Sequence, residues 1–319
     1  MVPFQPDCLA AAGTSAAGVS MQEPEIAVVV VYYADVLLLE RCLASLPAAI
    51  GRFSWRAVVV DNSELGIAAD GWDARIGLLR TGTNLGFARG VNEGARQIRA
   101  PWLLVLNPDA MPAPASVAHL RSVLQADRTL ALVGPRVVDE DGRLQGSARR
   151  DPSLLTGLIG RRSWLRRVAP NSRLARREVL DAGALEKGRE VVLVDWVSGA
   201  CQLIRRAAFD QVGGFDERYF LYFEDADLCR RLRNAGWGIG YVPGAEVIHR
   251  EGSASRHAPL RALRAFHESA FLYCATHVAR GRWHPLRPAA RALLGARRYL
   301  IERSVRRRTS CGARNGRRQ

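Results

Sequence analysis

Trp102-Leu-Leu-Val-Leu-Asn107-Pro108-Asp109 is a short apolar run that stops abruptly at an amide, a proline and a carboxylate. Five apolar residues in succession predict a strand buried on both faces, as in parallel sheets. The residues that end it deliver two oxygen-bearing side chains to the carboxyl edge of the sheet, where open α/β sheets bind their ligands. Two earlier segments end in the same manner. Ala57-Val-Val-Val60 runs into Asp61-Asn62-Ser63, and Ile76-Gly-Leu-Leu-Arg80 leads into Asn84-Leu-Gly-Phe-Ala-Arg-Gly90. Three polar strand ends at one edge of one sheet predict a site there.

Outward from this stretch, strands and helices alternate. Ile26–Tyr32 is a continuous β-branched run, and Asp35–Leu46, Ala88–Ile98 and Ser116–Gln125 carry apolar residues at helical spacing. A further short strand is predicted at Leu130–Val133. Such alternation implies an α/β protein with a Rossmann-like, mostly parallel central sheet, helices on its flanks and right-handed crossovers. Asp139–Gln145 reads as a hairpin turning at Asp141-Gly142. Arg149–Gly188 is irregular and Arg-rich, which predicts a mobile or partner-facing insertion. Regular patterning resumes at Val191–Arg205, with a helix over Asp225–Ala235 and strands at Gly238–Val242 and Glu246–His249. Beyond Ser255 the pattern predicts two amphipathic helices and a frayed basic tail. The expected organisation is a disordered segment 1–24 (Met21 is a candidate start), a domain over 25–255 whose halves meet at 110/111, with a variable insertion at 149–188, and an appendage over 256–319.

The 319 residues are 48% hydrophobic and 24% charged, which is ordinary, but the formal charge is +15. From Arg256 to Gln319 there are sixteen Arg, no Lys and two acids (Glu268, Glu302), a net +14, so the first 255 residues are close to neutral. No apolar run approaches the ~20 residues of a membrane span. Residues 1–24 lack a positive n-region, which argues against a secretory signal. The six cysteines are scattered without a CxxC pair, so metal-ligand spacing is absent and a reduced, cytosolic setting is expected.

Three clusters carry chemistry. There is neither GxGxxG after the first strand nor GxxxxGK[ST] anywhere. Asn107-Pro-Asp109 offers another way to hold phosphates, through a hard divalent cation that needs only one or two protein carboxylates. Taken by itself, the tripeptide reads better as a ligand-free turn. Phe220-Leu-Tyr-Phe-Glu224-Asp225-Ala-Asp227-Leu-Cys-Arg230-Arg231 places three acids at a helix start. They either complement the helix dipole or, with aromatic rings lowering the local dielectric, supply a general base. Val247-Ile-His249 ends in an imidazole that is either a hydrogen-bonded structural residue or the completion of a metal site.

In order along the chain stand Val28-Val-Val-Val-Tyr32, Asp61-Asn62-Ser63, Asn84-Leu-Gly-Phe-Ala-Arg-Gly-Val-Asn92-Glu-Gly94 and Leu106-Asn-Pro-Asp109. Trp196-Val-Ser-Gly199-Ala200, Gly213-Gly-Phe-Asp216-Glu, Phe220–Arg231 and His249 follow. Over roughly residues 25–255 this ordered set resembles a family 2 glycosyltransferase of the inverting GT-A type, most like bacterial rhamnosyltransferase-like enzymes. The resemblance implies a nucleotide-sugar donor (a dTDP- or UDP-sugar) bound by the 25–110 half and an acceptor held by the 111–255 half. Asp61 would contact the base or ribose. Tyr32, Asn84, Gly86, Phe87 and Asn92 would line the donor pocket. Asn107 and Asp109 stand where the family has its DxD motif for Mg²⁺ or Mn²⁺, with His249 as a further ligand. Asp225, paired with Glu224, would deprotonate the acceptor hydroxyl, and Ser198, Gly199, Ala200 and Asp227 would flank the acceptor.

Two features depart from the pattern. Val31-Tyr32-Tyr33 replaces the usual polar residues after the first strand, and Asn107 replaces an acid. The first departure supports an alternative, a catalytically impaired nucleotide-sugar-binding or nucleic-acid-binding protein on the same scaffold. The retained Asp109, Asp225 and His249 argue for the enzyme. A glycan or polyprenyl-linked acceptor in bacterial surface polysaccharide synthesis fits a basic appendage that binds anionic lipid. In that appendage Leu260, Leu263, Phe266 and Phe271 alternate with Arg261 and Arg264. The expected place is then the inner face of the cytoplasmic membrane, held peripherally. Nucleic acid fits the appendage less well, and a solvated tail without a partner is the remaining reading.

Overall fold

The computed structural model describes residues 23–152, 190–250 and 258–315, with side chains through Arg303. In chain order the elements are β1 (Ile26–Tyr32), α1 (Val36–Ile50), β2 (Trp55–Asp61), β3 (Ile76–Arg80), α2 (Phe87–Gln97), β4 (Trp102–Leu106) and β5 (Ala110–Pro112). They continue with α3 (Ser116–Ala126), β6 (Leu130–Val138), β7 (Ala148–Arg149), β8 (Val192–Leu193), β9 (Trp196–Val197) and β10 (Cys201–Arg205). The last are α4 (Arg206–Gln211), α5 (Glu224–Asn234), β11 (Gly238–His249), α6 (Pro259–Tyr273), a π turn (Cys274–Val278) and α7 (Leu286–Asn315).

One sheet has the order β3-β2-β1-β4-β10-β6-β11-β5, with β8 also paired to β11. β1, β2, β3, β4, β6 and β11 run one way, and β5, β8 and β10 the other. The expected mostly parallel sheet is present. Its strands alternate between two cores at the two-residue period of a pleated strand. Ala27, Val29 and Val31 of β1 face α2 and α5, while Ile26, Val28, Val30 and Tyr32 face α1 and α3. Each fully buried Ile or Leu here removes enough apolar surface to contribute about 1.5–3 kcal/mol.

The order reverses at β1. β2 and β3 lie on one side of it and β4 on the other, so the crevice beyond the carboxyl ends of β1 and β4 is the switch point where such sheets bind ligands. β10 runs antiparallel to β4 with Cys201 opposite Leu106, so Ser198–Ala200 enter the sheet at that same edge. β11 ends beside it with His249 opposite Ala110 of β5.

Two details differ from the sequence expectation. Gly238–Val242 and Glu246–His249 form one strand, because the Pro243-Gly244 interruption is absorbed as a register shift against β6. The tail expected to fray stays helical to Asn315, since residues 296–311 contain neither Gly nor Pro. The hairpin expected at Asp139–Gln145 is present, closed by the Val138–Leu144 bridge and by hydrogen bonds from Asp139 N–H to the Arg143 carbonyl (2.9 Å) and from Gln145 N–H to the Val137 carbonyl (3.0 Å). The insertion expected at 149–188, apart from its first four residues, and residues 1–22 lie outside the described residues.

Candidate active site

The ends of β2 and β3 frame a pocket of about 450 Å³ lined by Asp61, Ser63, Gly66, Ile67, Arg80 and Gly82. That volume lies within the ~300–1,000 Å³ typical of small-molecule sites. Asp61 is buried and shapes the pocket wall. Its Oδ1 accepts from the Ser63 N–H (2.9 Å) and hydroxyl (2.6 Å), and its Oδ2 from the Ile67 N–H (3.0 Å). Tyr32 stands opposite Asp61 in register. Burial, reinforced by the charges of Asp61 and Asp35, raises its phenol above the usual value, so the hydroxyl remains a donor.

The loop before α2 is tied down from two directions. Asn84 Oδ1 accepts the Gly86 N–H (2.9 Å), and Asn62 Nδ2 donates to the Gly86 carbonyl (3.0 Å). Phe87 N–H donates to the Phe220 carbonyl (2.8 Å), which joins this loop to the segment entering α5. Gly86 has φ +83°, and a Cβ there would sit 2.5 Å from the Phe220 oxygen, so the approach requires glycine. Asn92 is placed differently from the pocket lining that its motif suggests. Its Oδ1 accepts the Phe215 N–H (3.0 Å), and its Nδ2 donates to the Phe215 carbonyl (2.9 Å) and to Glu217 (3.0 Å). It fastens the Gly213–Glu217 loop to α2.

At the switch point β4 delivers Asn107 and Asp109, and β11 delivers His249. His249 Nε2 lies 3.2 Å from Asp109 Oδ1 and 3.4 Å from the Asn107 amide nitrogen. Both Asp109 and His249 are buried. Gln145 grips His249 twice: its Nε2 donates to the His249 carbonyl (2.6 Å) and its Oε1 faces Nδ1 at 2.8 Å. The first bond fixes which end of the amide meets the ring, so Nδ1 carries the hydrogen. Nε2 is the ring atom presented to Asp109 and Asn107. An imidazole nitrogen 3.2 Å from a carboxylate oxygen is a donor set that takes Mn²⁺ or Mg²⁺. Among the described residues no group of three His, Cys, Asp or Glu side chains stands ready for a metal. Substrate phosphate and water would have to complete the coordination.

Asp225 faces this edge from α5. Its Oδ2 accepts the Gly199 N–H (2.9 Å) and its Oδ1 the Ala226 N–H (2.8 Å). A Cβ on Gly199 would lie 3.3 Å from that of Asp225, so Ser198-Gly199-Ala200 and the carboxylate form one wall. Glu224 is buried beside it in the first helical turn. Cys201, just beyond this wall, is no nucleophile, because burial pushes its thiol up to about 12.

The model of the family described as Glycosyltransferase like family 2 matches residues 24–266. The chain belongs to glycosyltransferase family 2. A relative from Mycobacterium tuberculosis, N-acetylglucosaminyl-diphospho-decaprenol L-rhamnosyltransferase, is 36% identical over 301 residues, 88% of this chain and 94% of the relative. Two solved structures share the GT-A fold at low identity. GalNAc-T7 with UDP, GalNAc and Mn²⁺ has a TM-score of 0.53 and 16% identity, over 86% of this chain and 55% of that one. The mannosyltransferase PcManGT from Pyrobaculum calidifontis with GDP-Man and Mn²⁺ has a TM-score of 0.51 and 18% identity, over 88% and 70%.

In this glycosyltransferase the aromatic approach to α5 packs against the appendage. Tyr222 and Phe223 pack on Phe266 of α6 (5.8 and 5.5 Å between centroids), Phe223 also meets Tyr273, and Arg261 lies 4.8 Å over Phe220. Ser269 Oγ donates to the Leu221 carbonyl (2.9 Å). Tyr222 and Phe223 both have positive φ (71° and 66°), a strained turn that this packing holds. Asp227, whose motif suggests acceptor contact, is instead fully buried between Arg231 (2.7 Å) and His277 Nε2 (2.7 Å) of the π turn. No local signal in the sequence marks Gln145 or His277. Each becomes visible only when the topology brings it beside a motif residue.

Proposed function

We propose that this glycosyltransferase is inverting and cation-assisted, moving rhamnose from a dTDP- or UDP-linked donor to a hydroxyl of a polyprenyl-diphosphate-linked N-acetylglucosamine in cell wall polysaccharide synthesis. The sugar and acceptor are taken from the name of the relative that matches 94% of its own length at 36% identity. The observation that carries the chemistry is the meeting of Asp109 and His249 at 3.2 Å at the switch point, with Asp225 on the opposite wall.

The nucleoside lies in the pocket beside Asp61 and Arg80, against the loop of Asn84, Gly86 and Phe87. Asp109 and His249, with Asn107 adjacent, would hold Mg²⁺ or Mn²⁺, which when bound would supply positive charge for the departing diphosphate. Asp225 accepts the proton of the acceptor hydroxyl through a lone pair not engaged by Gly199 or Ala226. The acceptor oxygen then bonds to the anomeric carbon as the bond to the diphosphate oxygen breaks, and the configuration inverts. Ser198–Ala200 seat the acceptor close to attack geometry. The basic appendage keeps the enzyme at an anionic membrane surface, the inner face of the cytoplasmic membrane.

The test is transfer from dTDP-rhamnose to a short-chain polyprenyl-diphosphate N-acetylglucosamine, with and without Mn²⁺, read by mass spectrometry and by NMR of the new anomeric centre. A metal-dependent disaccharide of inverted configuration is expected. Transfer from no nucleotide-sugar, or retention of configuration, would overturn the reading.

A further inference from the structure

Among the described residues, six of the twelve exposed large apolar side chains fall between Val278 and Leu300: Val278, Trp283, Leu286, Leu293, Tyr299 and Leu300. Those of the preceding helix do not share this exposure. Phe266 is packed on Tyr222 and Phe223, and Phe271 lies against Cys274, Ala279 and Ala290. The apolar alternation of α6 is therefore directed into the protein, and the free apolar surface belongs to the corner after the π turn and to α7.

That corner is built to present its tryptophan. Arg287 donates to the Ala279 carbonyl (3.2 Å) and the Ala275 carbonyl (2.9 Å), tying α7 back to the π turn. His284 N–H donates to Gly281 and Arg287 N–H to His284, closing two successive turns. Trp283 nevertheless remains 89% exposed, with Arg282 5.6 Å over its ring. Along α7, Leu286, Leu293 and Leu300 recur every seventh residue and share one face, where they are 40%, 52% and 65% exposed. Ala290 and Leu294, on the neighbouring strip of the same helix, are buried.

We infer that the Trp283 corner and the Leu286–Leu293–Leu300 face of α7 form the surface by which this glycosyltransferase lies on an anionic lipid bilayer. This deepens the membrane part of the proposed function by naming the contact. Charge complementarity selects this occupant. The segment from Arg256 onward carries sixteen Arg against two acids, which suits anionic headgroups. A second copy, although a seven-residue repeat would allow it, would bring two +14 segments together. Trp is at home at the headgroup level, with its ring body in apolar surroundings and its N–H toward water. Arg beside it can extend to phosphates while its stem stays apolar.

The test is flotation of the full chain with vesicles of phosphatidylcholine alone or with about 30% phosphatidylglycerol, at low and high salt. Binding to the anionic vesicles that weakens with salt is expected, as is its loss on neutral vesicles. Trp283→Ser and the double variant Leu293→Glu, Leu300→Glu should each lower partitioning about ten-fold or more. Their helicity, melting temperature and stabilisation by nucleotide with Mn²⁺ should be unchanged. That last readout needs no membrane, so it fails only if the donor-site reading fails. Absence of wild-type flotation, or variants that float like wild type, would overturn the inference. A dimer split by the double variant, or binding to RNA without binding to vesicles, would do the same.

Discussion

Gln145 contacts the same residue through both ends of its amide, donating to the His249 carbonyl and receiving the His249 Nδ1 hydrogen. This pair of bonds sets the tautomer and the aim of the ring that meets Asp109. Partners of this kind typically contribute 10–100-fold to metal affinity. Gln145→Ala is therefore expected to weaken Mn²⁺ binding by about 10–100-fold with only a small change in melting temperature. Titration of Mn²⁺ by electron paramagnetic resonance, with nucleoside diphosphate present, measures it. Unchanged affinity would mean that the ring is oriented by Asp109 alone.

Asp225 Oδ2 holds the Gly199 N–H, and an asparagine oxygen can accept the same bond. Asp225→Asn should thus fold, bind donor nucleotide with wild-type affinity and lose transfer by about 10²–10⁴-fold, the usual weight of a positioned base. Calorimetry with the nucleotide and initial-rate assays separate the two effects. Normal turnover would remove Asp225 from the chemistry.

Asn92 and Gly86 come from one motif and do different work. Asn92→Ala leaves the buried N–H and carbonyl of Phe215 without partners and should cost about 2–3 kcal/mol of stability. Donor affinity of the folded fraction should stay unchanged. Gly86→Ala forces a side chain into φ +83° and against the Phe220 oxygen, so a loss of about 2–4 kcal/mol is expected. Denaturant melts rank the two, and equal donor affinity in Asn92→Ala distinguishes loop fastening from pocket lining.

The strands were readable because burial on both faces leaves an unbroken apolar run, as in Ile26–Tyr32 and Trp102–Leu106, and their polar ends marked the ligand edge. What the sequence left hidden was direction across space. Asn92 and Asp227 sit in motifs that suggest ligand contact, yet their partners, Phe215 and His277, are far along the chain and were brought to them by packing. The rings of Phe220, Tyr222 and Phe223 were legible as a cluster, but α6 as their counterpart was not, because an aromatic run states that it is buried without stating by what. The pairing of Gln145 with His249 depends on the hairpin closing beside the end of β11, which no spacing reveals.

Acidification should loosen the contact between α6 and α7. His267 is buried at that contact, its Nδ1–H donating to the Leu263 carbonyl (2.8 Å) and its Nε2 accepting from Arg297 (3.2 Å). A second proton would have to take the Nε2 position and face the Arg297 guanidinium. Burial above all, with Arg297 and Arg298 adding and the Leu263 carbonyl and Glu302 opposing, holds its pKa below the usual value of 6.5. The unfolded chain therefore binds a proton at a higher pH than the folded one does, and stability falls as pH drops below about 6.5 toward the folded pKa. The melting temperature of wild type should decline over that window more steeply than that of His267→Gln, whose amide can keep one bond without titrating. Parallel pH profiles for the two proteins would show that His267 does not couple the helices to pH.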